Sequence, residues 1–122
     1  MTGPREPGPE RLQDAVGGAV TDLEAVIAGI GEDPGTVHRA VRLNLDLQLL
    51  WLRTMQRELA DGPPSRRVWS LGQAAVPVLH SLLNAVIQQA PALPREPVDR
   101  CRRSLGGLAD ALVDQAEGRT AP

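Results

Sequence analysis

The fold this sequence predicts is an all-α, antiparallel four-helix bundle. Three observations point to it: apolar residues recur at helical spacing, the core residues are aliphatic, and short breaks rich in Pro and Gly divide the chain into four long segments. The chain has 122 residues, enough for one domain with one modest core. Apolar residues make up 42%, yet Tyr and Phe are absent and only Trp51 and Trp69 are aromatic, so Leu, Val, Ala and Ile must fill that core.

The first nine residues hold three prolines and two glycines and are expected to form a disordered tail, as are residues 118–122. A single helical domain is expected over residues 10–117. Its first helix runs from about Glu10 to Ile30, with Leu12, Val16, Ala19, Leu23, Val26, Ile27 and Ile30 on one stripe and Asp14, Thr21, Asp22 and Glu24 opposite. Glycine near Gly29 to Gly31 can cap its end.

The second helix has a start signal in Asp33, which can cap free amides, and Pro34, which suits the first helical position. It runs to about Ala60, where Asp61-Gly62-Pro63-Pro64 breaks it. Ser65 then caps a third helix over Arg66 to Gln89. Pro77 lies inside that helix, removes the donor for the carbonyl of Gln73, and predicts a kink or two half-helices. After Ala90-Pro91-Ala92-Leu93-Pro94, Pro97 opens a fourth helix ending near Glu117, with Val98, Cys101, Leu105, Leu108, Ala109, Leu112 and Ala116 on its stripe. Short connections between long helices favour antiparallel neighbours. Gly17-Gly18 and Gly106-Gly107 interrupt two of these stripes, and close helix crossing is one reason to tolerate them.

Composition narrows function. All 13 basic residues are Arg, which together with abundant Ala, Gly and Pro suggests a GC-rich bacterial genome, but the net charge is −2. That lacks the basic excess of a phosphate-binding surface, so nucleic acid is not an expected partner. A lone Cys101 allows neither an internal disulfide nor a multi-cysteine metal site, and the N-terminal residues carry no apolar leader, so a cytoplasmic location is expected. Val68 to Pro94 contains no charged residue and is long enough to span a bilayer. Its Ser70, Gln73, His80, Ser81, Asn84, Gln88 and Gln89 argue for a protein-covered helix and against a membrane.

Signs of catalysis are missing: no nucleophile elbow, no phosphate loop, and no metal-ligand spacing between His38 and His80. A non-enzymatic protein without metal or cofactor is expected. Cys101 has arginines on both sides, which can activate a thiolate, but it shares the apolar stripe of the fourth helix and reads as a buried structural cysteine. Arg39, Arg42, Arg53 and Arg57 line one side of the second helix and read as a solvated face or as a contact for an acidic partner.

The second helix carries the most information, because leucines occupy two sides of it. Leu43, Leu47 and Leu50 form one face, and Val41, Leu45, Leu49, Leu52 and Leu59 the nearly opposite one. A helix apolar on both sides is central in its assembly, so a homodimer or docking on another protein is expected. The interface is placed on Leu45, Leu49 and Leu52, with His80 and Asn84 of the third helix, although which leucine face is core stays open. The alternative is a small apolar ligand in a pocket between the second and third helices, lined by Asn44, Gln48, Trp51, Trp69, Gln73 and His80.

Overall fold

The computed structural model describes residues 9–31, 37–62 and 65–120. It is an all-α four-helix bundle: α1 (Pro9–Gly31), α2 (Arg39–Asp61), α3 (Arg66–Gln89) and α4 (Arg95–Thr120). Each helix packs on its two neighbours in the order α1, α2, α3, α4 and back to α1, with no diagonal pair among the described residues. Neighbours are antiparallel. Arg11 meets Asp114, Glu24 meets Arg53, Glu58 meets Arg67, and Asn84 meets Arg102, each pairing the start of one helix with the end of the next or middle with middle.

The expected stripes become the core. Leu12, Val16, Leu23, Leu79, Leu83, Leu105 and Leu108 are fully buried or nearly so, and no polar or charged residue is buried among the described residues. Among the described residues no glycine takes a left-handed conformation, and side chains close several of the helix ends. Ser65 Oγ accepts the Val68 N–H at 3.2 Å, as its position before α3 predicts. Gln13 donates to the carbonyl of Leu59 at 2.7 Å, satisfying an orphan acceptor in the last turn of α2. At the opposite end the His38 N–H donates to Gln89 Oε1 at 2.7 Å, and His38 Nδ1 accepts the Ala40 N–H at 3.2 Å.

Several details differ from expectation. The start of α2 is Arg39, capped by His38, and Asp33 and Pro34 lie outside the described residues. Of the expected tails 1–9 and 118–122, residues 1–8 and 121–122 also lie outside the described residues, while Pro9 opens α1 and α4 continues past Glu117 to Thr120. The largest correction concerns Pro77. Its helix runs unbroken from Arg66 to Gln89, so the two half-helices do not occur and the expected kink is not borne out. Pro77 is exposed on the outer side of α3, and so is Gln73, whose carbonyl loses its intrahelical donor on the solvent side of the helix.

The paired glycines are not explained by close crossing. A Cβ on Gly17 or Gly18 would make ordinary contacts at 3.6 and 3.8 Å, and one on Gly106 or Gly107 would meet nothing within 4 Å. The close approach is elsewhere. A Cβ on Gly72 would come within 2.9 Å of both Met55 Cε and Leu112 Cδ1, so the tips of side chains from α2 and α4 occupy the space that a methyl on α3 would take.

Candidate interaction surface

The bundle decides which leucine face of α2 points inward. Leu45 and Leu52 are fully buried, with Leu49 at 8% exposure, and Met55 and Leu59 continue the same face along the helix. These leucines, expected at an interface, are core residues. The opposite face is the open one: Leu43 is 57%, Leu47 44% and Leu50 53% exposed. With Val78 and Val113 they are the large apolar side chains that face solvent among the described residues. Three of the five lie on one helix face within eight residues, so they form a stripe rather than a scatter.

This division had a signal in the sequence. The inner face continues through Val41, Met55 and Leu59 over the whole helix, whereas the outer one ends after Leu50 in Thr54 and Arg57. A core must be supported along the full length of a bundle helix, and a docking stripe need not be.

The third-helix part of the expected interface is used largely within the bundle. His80 is half-buried, and Asn84 is exposed but accepts a hydrogen bond from Arg102 of α4. Arginine thus reaches over the uncharged row from the neighbouring helix. The remaining outer face of α3, including Ser70, Ala74, Pro77, Val78, Ser81 and Gln88, is exposed and without charge.

The six residues expected to line a pocket do not come together around one. Asn44 is exposed and donates to its own helix at Ala40 O (2.9 Å), Gln73 is exposed, and Gln48, Trp51 and His80 are half-buried. Trp69 turns to α4, where Nε1 donates to Leu112 O at 3.1 Å. Clefts of about 10, 80 and 90 Å³ occur at the end of the bundle where α1 and α3 finish, lined by residues such as Ile27, Val86, Leu93 and Val98, and none is lined by any of the six. All are small beside the several hundred Å³ of a typical ligand pocket. Among the described residues no three of His, Cys, Asp and Glu gather as a metal site.

The charges lie on the surface. Arg53 pairs with Glu24 of α1, so one member of the arginine side of α2 has a partner in its own chain, and Arg42 too is engaged; Arg39 and Arg57 are exposed. Exposed pairs such as Arg100 with Glu96 at 2.7 Å contribute at most about 1 kcal/mol. Cys101 is fully buried, and burial, reinforced by the negative charge of Asp22, pushes its thiol up to about 12. That is the opposite of a reactive cysteine. α3 is long and apolar enough to cross a membrane by length and composition, yet Val68, Gly72, Ala75, Leu79, Leu83 and Val86 are buried on the other helices. No family model, curated protein or solved structure matches the chain.

Proposed function

We propose that this protein is a non-enzymatic helical interaction module that works through the outer face of α2. One observation carries the reading: a bundle whose core is already complete presents Leu43, Leu47 and Leu50 about half-exposed in a single row. Burying a leucine fully is worth about 1.5–3 kcal/mol, so three half-exposed leucines on each of two surfaces offer roughly 5–9 kcal/mol in all. Association costs about 4–15 kcal/mol in lost freedom. The balance is at best about 5 kcal/mol in favour, which corresponds to a reversible contact with a Kd of about 0.2 mM or weaker, as suits a regulatory or accessory role and not a permanent assembly. A cytoplasmic setting is part of the same proposal.

Sedimentation velocity tests it. The wild-type protein should sediment faster than a 13.0 kDa monomer as concentration rises, and a Leu43→Glu/Leu47→Glu/Leu50→Glu variant should stay folded and monomeric. A triple variant that unfolds, or that associates as the wild type does, overturns the reading of this row as the binding face.

A further inference from the structure

Resting on the reading of α2 as the binding face, we infer that its partner is a second copy of this chain, with the two α2 helices packed antiparallel so that Leu47 of each lies against Leu50 of the other. The sequence spacing supports a helix pair. Ala40, Leu43, Leu47, Leu50, Thr54 and Arg57 alternate by three and four residues, the seam of a two-stranded coiled coil, and the three leucines at its centre are open to solvent.

Charge fixes the direction and register. Asp46 and Arg53 flank the seam on its α1 side, one heptad apart, and both are exposed. In an antiparallel pair that sets Leu47 against Leu50, each Asp46 faces the partner's Arg53, giving two opposite-charge pairs related by the twofold axis. Sliding one helix by a heptad in one direction sets Asp46 against its own copy and Arg39 against Arg53. Sliding it the other way sets Arg53 against its own copy. Both are like-charge contacts, which act against the wrong register. A parallel pair in register would set Asp46 beside Trp51 and pair Arg53 with Glu58, whose Oε2 is buried within the bundle, whereas Asp46 is exposed. On the other flank the antiparallel pair brings Asn44 opposite the half-buried Trp51.

Two experiments test this. Leu47→Cys and Leu50→Cys proteins, mixed and oxidised, should give the mixed disulfide at least about tenfold over either self-pair. Cys101 does not compete because it is fully buried. Efficient self-pairing of Leu47→Cys alone would overturn the antiparallel arrangement while leaving α2 as the binding face. In the second test every protein carries Glu24→Gln, which removes the intrachain partner of Arg53. Asp46→Arg and Arg53→Asp should each weaken dimerisation about tenfold, and the double exchange should restore it, because each single change turns two attractive pairs repulsive. No recovery in the double exchange overturns the register. A wild-type protein that stays monomeric from about 1 µM to about 1 mM overturns the second copy as the partner.

Discussion

Three glycines in helix interiors set up a measurable contrast. Gly106 and Gly107 lie in the middle of α4, both exposed, and a Cβ there would meet nothing within 4 Å. Alanine at either site should recover the helix propensity that glycine forgoes, about 0.8–1 kcal/mol each. For a chain of 122 residues the unfolding entropy near the midpoint is about 0.25 kcal/mol/K, so the double variant should melt roughly 6–8 °C higher. Gly72→Ala gains the same propensity but sets a methyl within 2.9 Å of Met55 Cε and Leu112 Cδ1. Overpacking of that kind costs about 1–3 kcal/mol, and side-chain tips can yield, so the net effect should fall between about zero and 2 kcal/mol of destabilisation. Far-UV circular dichroism during thermal and urea unfolding reads all three. A rise on Gly72→Ala as large as that on Gly106→Ala would refute the packing described here. A fall on Gly106→Ala or Gly107→Ala would mean that the open side of α4 is covered by something in solution.

Leu45→Ala removes a fully buried side chain and should cost about 2–5 kcal/mol, whereas Leu47→Ala, two residues away and half-exposed, should leave monomer stability within about 0.5 kcal/mol and reduce association instead; urea unfolding at low concentration and sedimentation separate the two. Pro77→Ala should stabilise by up to about 3 kcal/mol, because it returns a donor to Gln73 in a helix that is already continuous; a loss of stability would show that the proline is needed there. The Cys101 thiol is raised to about 12 in the folded protein, so the folded state holds a proton that the unfolded state gives up above its ordinary value near 9. Its contribution is therefore complete below pH 9 and lost as pH rises towards 12, and Cys101→Ala should flatten the alkaline fall in urea midpoint; an unchanged slope would count against this. Trp69→Phe gives up the hydrogen bond to Leu112 O and should cost about 0.5–1.5 kcal/mol in the same unfolding assay.

How far the residues alone disclose this protein differs from helix to helix. The stripes of α1 and α4 have one apolar side each, so Leu12, Leu23, Leu105 and Leu108 could be assigned to the core from spacing. The bounds of α3 follow from Ser65 and from the proline-rich loop after Gln89. α2 resists because periodicity places residues on faces without naming the inward one; the only sequence signal is that the row from Val41 to Leu59 outlasts the row that ends at Leu50. The interface residues chosen from spacing were the inner row for that reason. Gly72 escaped notice because a glycine in an apolar stripe looks like a weak core position, and its purpose exists only where Met55 and Leu112 arrive from other helices. The supposed pocket failed similarly: Trp69 turns to α4, and none of the clefts is lined by either tryptophan.

Because the chain has two indoles and neither tyrosine nor phenylalanine, its near-ultraviolet emission has two sources in two different settings. Trp69 is tied to the carbonyl of Leu112 and changes environment when α3 parts from α4. Trp51 is half-buried on α2, next in sequence to Leu50 of the leucine row. A protein that keeps only Trp69 therefore reports unfolding, and one that keeps only Trp51 reports whatever comes to rest on the outer face. The same spectrometer, without any attached dye, can follow the two events separately.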